Sequence, residues 1–150
     1  MKKHRAKLCV IILLIITGMI ALIYLNARGD VPENAIEVKY EEETQYIDVE
    51  KLEYVEVSGT RVNGKGEEIE VKAQGVSLEK VLKDIKITEY ETISVVADDA
   101  YNAEIAGEEL QAGLEAYLIQ EEGEERLRLV VFGDKDSKRS VSNVVQIIVK

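Results

Sequence analysis

Ser77-Leu78-Glu79-Lys80-Val81-Leu82-Lys83-Asp84-Ile85 is the one strong helix signal in a chain otherwise patterned as strands. Leu78, Val81, Leu82 and Ile85 fall at i, i+3, i+4 and i+7, which makes one apolar stripe. Ser77 is placed to cap the first turn. Glu79 lies near the positive end of the helix dipole, and Lys83 and Lys86 lie near the negative end. A stripe of this kind is core, not a cofactor box. Upstream, Ile36-Glu37-Val38-Lys39-Tyr40 and Ile69-Glu70-Val71-Lys72-Ala73 alternate apolar and polar residues, as half-buried strands do. Between Leu52–Ser58 and Glu67–Ala73, Asn63-Gly64-Lys65-Gly66 predicts a hairpin turn. That Gly-x-Gly opens no helix, so it is not a dinucleotide fingerprint.

Downstream, Thr92-Ile93-Ser94-Val95-Val96-Ala97 reads as a buried strand. Asp98-Asp99-Ala100 turns the chain into Tyr101–Ile105, and Glu108 to Ala112 is short enough for one helical turn. Ala116–Ile119 is a further strand. Leu127-Arg128-Leu129-Val130-Val131-Phe132 is a nearly continuous apolar run, which predicts a central strand. After a polar loop from Gly133 to Ser142, Val144–Val149 closes the sheet. Many strands with one solid helix give the class α+β, mainly β, as a small mixed-sheet domain. The charge runs Glu41–Glu43 and Glu121–Glu125 read as solvated loops or strand ends.

Charge divides the chain of 150 residues unevenly. Residues 1–30 carry a net +4 and the remaining 120 carry −14, for −10 in total. So acidic a surface repels phosphate backbones and argues against nucleic acid as a partner. The only cysteine, Cys9, and the only histidine, His4, both lie before residue 10. The rest of the chain therefore has no disulfide, no thiol nucleophile, no Ser-His-Asp triad and no His/Cys zinc site.

Leu8 to Leu25 is an uncharged apolar run of about 27 Å as a helix, close to the hydrocarbon thickness of a bilayer. It predicts a basic cytoplasmic tail over 1–7, a transmembrane signal-anchor over 8–26, a linker over 27–34 and an extracytoplasmic domain over 35–150. The positive-inside rule puts the N-terminus in the cytoplasm and the domain outside a single-pass cell membrane protein. The alternative is a cleaved signal peptide, for which Leu25-Asn26-Ala27 is a poor cleavage site. Cys9 is misplaced for a lipoprotein cysteine; it is open to acylation from the cytoplasmic side or is a passive apolar residue. The Lys-rich flank, the Ile-rich span and the Glu/Lys-rich domain suggest a bacterial source.

Five stretches in order resemble one family. They are Gly75-Val76-Ser77-Leu78 before a helix, Val95-Val96-Ala97-Asp98-Asp99-Ala100-Tyr101, Ala116-Tyr117-Leu118, Leu127-Arg128-Leu129-Val130-Val131-Phe132-Gly133 and Arg139-Ser140-Val141-Ser142-Asn143-Val144-Val145-Gln146-Ile147. Residues 75–150 thereby resemble the C-terminal half of the oxidoreductase molybdopterin-binding domain, the sulfite oxidase fold. The resemblance implies that fold in truncated form. In that family a cysteine thiolate ligates molybdenum, whereas the corresponding stretch Val57–Gln74 contains no Cys. The family's pterin-holding His is also missing. The expectation is therefore a non-catalytic domain that binds a protein or small ligand, with no cofactor. The alternative is a redox or accessory subunit that retains molybdopterin through Arg139, Lys138 and backbone amides, with Tyr101 lining the pocket. For Arg139 and Lys138 the plain reading is a solvated loop, and for Tyr101 and Tyr117 it is packing at the sheet edge. Asp98 with Asp99, and Asp134 with Asp136, are candidate oxygen ligands for a hard cation; neither has a calcium-loop spacing, and turn capping accounts for both.

Overall fold

A computed structural model of the chain describes residues 2–27 and 31–150, with the side chains of 10–24 and 31–150. The basic tail's side chains, Cys9 and the linker positions 28–30 lie outside the described residues. The chain forms two compact units, 1–32 and 33–150.

The first unit is helix α1, Lys2–Ala27. Among the described residues no helix is long and apolar enough to cross a membrane. The apolar side chains described on α1 run from Val10 to Tyr24. The transmembrane anchor over 8–26, the signal-anchor, the membrane as partner, the single-pass cell-membrane location and the extracytoplasmic placement are therefore corrected.

The second unit is mostly sheet. Strands β1 (Ile36–Tyr40), β2 (Glu43–Ile47), β5 (Thr92–Ala97), β6 (Asn102–Ala106) and β9 (Val144–Val149) form a five-stranded sheet in the order β2-β1-β9-β5-β6. Strands β3 (Val55–Val62), β4 (Glu68–Ser77), β7 (Ala116–Gln120) and β8 (Arg128–Val131) form a second sheet in the order β3-β4-β7-β8. The sequence suggested one mixed sheet; there are two. All neighbours are antiparallel except β1 and β9, which run parallel with Val38 opposite Ile147. A 3-10 turn spans Val49–Lys51, capped by Asp48. Helices α2 (Leu78–Asp84) and α3 (Gly107–Gln111) complete the unit.

Local chemistry sets these elements. Ser77 Oγ accepts from the Lys80 amide at 3.4 Å and starts α2, whose Leu78, Val81 and Leu82 are buried. The Asn63–Gly66 turn closes with Gly66 N donating to Asn63 O at 3.0 Å and Asn63 N donating to Glu67 O at 2.9 Å. Gly66 has φ 83°, which glycine adopts without a Cβ penalty. The strand β2 begins on Glu43, the last residue of the Glu41–Glu43 charge run. Glu41, at φ 54°, supplies the tight turn that pairs β2 back on β1.

The main core lies between the sheets and under α2, with Ile93, Val95, Leu118, Leu129 and Ile147 buried. A second, smaller core lies on the opposite face of the four-stranded sheet and holds Val57, Ile119, Val130 and Phe132. That sheet is rolled until its two edges touch, with Gly133 N donating to Thr60 O at 3.1 Å. Rolling explains the apolar run 127–132. β8 is an edge strand, not the central strand expected, and it reads as continuously apolar because the roll buries its outer face too.

Candidate functional site

The turn after β5 and the loop between β8 and β9 bring Tyr101, Lys138 and Arg139 into one corner. Tyr101 Oη donates to the Lys138 carbonyl at 2.6 Å, across 37 residues of sequence. The Lys138 side chain points to solvent and, among the described residues, pairs with Asp136 at 3.3 Å. The Arg139 guanidinium is half-buried and forked onto Asp134, with Nε to Oδ2 at 2.8 Å and Nη2 to Oδ1 at 2.5 Å. Its Nη1 donates to Glu109 on α3 at 3.0 Å. Asp134 first, then Glu109, push the Arg139 pKa above its ordinary value.

This geometry tests the fit of a pterin cofactor. Anchoring its phosphate requires a cation whose charge is not already met by carboxylates. Each nitrogen of the Arg139 guanidinium already donates to a carboxylate, and two acids face one arginine. Lys138 is tied to Asp136, and the Tyr101 hydroxyl is committed to a backbone carbonyl. The three residues expected to serve a cofactor are together, but the residues present do not fit an anionic pterin. Their observed work is to fasten the 133–143 loop to α3 and to the β5–β6 turn.

The candidate cation ligands resolve into turn chemistry. Asp99 Oδ1 accepts from the Tyr101 amide at 3.0 Å, and Asp136 Oδ1 accepts from the Lys138 amide at 3.0 Å. The Lys138 amide, then its side chain, hold the Asp136 carboxyl below its usual range. Among the described residues no three His, Cys, Asp or Glu side chains are grouped to hold a metal ion. The Tyr117 ring packs tilted on Phe132, with centroids 5.6 Å apart.

A second charged cluster was not anticipated from the sequence. Glu121, just past β7, accepts from Arg128 Nε at 2.7 Å and lies 3.5 Å from Arg61 Nη2. It joins β3 to β8 at one mouth of the rolled sheet. Arg61 Nε is buried with no hydrogen-bond partner. Beside it is an open cleft of about 450 Å³, floored by Ile69, Val71 and Ala73 and rimmed by Glu70, Glu122 and Glu124. The turn 63–66 could have shown that Arg61 faces Ile69 across the hairpin, since it fixes that register. Glu121 comes from a run that composition alone marks as solvated.

No family model matches the chain, and no curated protein matches it.

Proposed function

We propose that residues 33–150 form a non-catalytic protein-binding domain on a scaffold similar to a trimmed oxidoreductase molybdopterin-binding domain. The observation that carries this reading is the Asp134–Arg139–Glu109 clamp. The arginine that the resemblance offers to a cofactor phosphate is neutralised by the chain's own carboxylates. Histidine and cysteine are absent beyond residue 9, which removes the side chains most often used as base, nucleophile or soft metal ligand. What remains is a strongly acidic surface over a rigid double core, suited to steering and holding a cationic partner.

The test is metal and pterin analysis of the full-length protein purified gently from its native cells, together with affinity capture from the same cells. The expected result is no molybdenum, no pterin and a reproducibly enriched protein that loses binding at high salt. Stoichiometric molybdenum with pterin fluorescence overturns the reading.

A further inference from the structure

β4 is ten residues long, but β7 covers only its last four. Gln74, Gly75, Val76 and Ser77 pair with Gln120, Ile119, Leu118 and Tyr117, and there β7 ends. From Glu68 to Ala73, β4 has β3 on one side and, among the described residues, no strand on the other. An interior strand is thus left with a bare backbone edge about 20 Å long. The cleft lies along this edge, between Ile69–Ala73 and the turn that carries Glu122 and Glu124. Exposed edges are usually blocked by charge or cover because they accept further strands. This one carries charge at Glu68, Glu70 and Lys72, yet it faces a recess with an apolar floor.

We infer that the edge of β4 at residues 69–73 takes up an extended, basic segment of a partner protein as an added strand. This rests on the protein-binding reading above and assigns it a site and a partner chemistry. Three observations choose the occupant. The bare edge calls for backbone amides and carbonyls at strand spacing, which an extended peptide supplies. Ile69 and Val71 alternate with Glu70 and Lys72, so an alternating segment matches them face for face. Glu70, Glu122 and Glu124 line the slot without an ion pair among the described residues, whereas Lys72 is paired with Glu56 at 3.4 Å. They therefore select lysine or arginine. Arg61 serves the strand pairing and not the choice of charge. Its guanidinium has one long contact, to Glu121 at 3.5 Å, and has donors to spare for a carbonyl of the incoming strand. A second copy of this chain is disfavoured by its own acidity, since residues 31–150 carry −14.

The experiment uses the full chain and a fluorescein-labelled decapeptide of alternating lysine and valine, read by fluorescence polarisation at low salt. Binding is expected, with hydrogen-exchange protection confined to residues 68–73 and 120–124. Glu122→Gln with Glu124→Gln, both at exposed positions, is expected to weaken it at least tenfold. The same peptide N-methylated at alternate amides keeps its charge but cannot pair as a strand, and is expected to lose binding at least tenfold. Equal binding by the N-methylated peptide overturns strand addition, and equal binding by the double variant overturns the assigned slot. No binding, or concentration-dependent self-association protecting the same residues, overturns the basic-partner assignment. These failures leave the broader reading standing if native capture still enriches a partner; bound molybdenum pterin sinks both.

Discussion

Gly59 faces the ring of Phe132 so closely that a Cβ at position 59 would lie 2.5 Å from the Phe132 Cγ. The contact is the seam of the rolled sheet, where β3 meets the residue after β8. Gly59→Ala forces the ring or the strand to move, and is expected to cost about 1–3 kcal/mol as overpacking does. Phe132→Leu in the same chain frees the space and recovers part of that loss. Urea unfolding of the two single variants and the double variant measures the coupling; strict additivity would mean that the edges are not held together there.

Leu118 and Ile119 are neighbours on β7, point to opposite faces and are both fully buried. Leu118→Ala opens the main core and Ile119→Ala opens the small one. Each is expected to lose about 2–5 kcal/mol, since cavity formation adds to lost burial. A sheet with one wet face would tolerate one of the pair, so chemical denaturation of both variants reports directly on the second core.

Asp134→Asn removes one charge from the Arg139 clamp while preserving shape. The loss is expected to be about 1–3 kcal/mol, the usual range for a hydrogen bond to a charged group left unmatched. Asp136→Asn, at an exposed turn, is expected to leave the unfolding midpoint in place. Amide exchange over residues 133–143 should quicken in the first variant and not in the second.

Glu37 joins the middle of the five-stranded sheet through Lys39 at 3.0 Å and Gln146 at 2.7 Å. Lys39 first, then Gln146, hold its carboxyl below the ordinary value of 4.5. A depressed folded pKa means stability that is full above that ordinary value and is lost as pH falls through the lowered one. Glu37→Gln is therefore expected to be less stable than the parent at neutral pH, with the gap closing below about pH 4.5. Thermal melts from pH 3 to 7 follow the closure; a gap that widens in acid contradicts the assignment.

Much of the fold is legible in the residues because it is local. Ser77 with the 78-81-82-85 stripe marks α2, Asn63–Gly66 marks the hairpin, and the β5 and β9 segments fall within a residue of their strands. What was missed is non-local. β2 begins on the last of three glutamates and has one buried residue, Ile47, so its pairing with β1 outweighs its composition. The roll of the second sheet is hidden at β7 and β8, where burying both faces erases the alternation by which a strand is oriented. Tyr101 and the Lys138–Arg139 segment do meet, through the Tyr101 hydroxyl and the Lys138 carbonyl. The carboxylates that occupy Arg139 lie five and thirty positions away in sequence, and only the fold reveals the pairing. The apolar composition of α1 suits a bilayer, yet among the described residues no helix is long and apolar enough to cross one.

The parallel pairing of β1 with β9 has a kinetic consequence. β2-β1 and β5-β6 are each local hairpins, formed within a dozen or so residues, but they share no neighbour except β9. Until Val144–Val149 has been synthesised and inserted between them, the five-stranded sheet is two unconnected halves, each with a raw edge. Late, long-range closure of this kind slows folding and prolongs the interval in which strands can mispair. On a ribosome, this domain would acquire its stability in one step once β9 has emerged, not gradually.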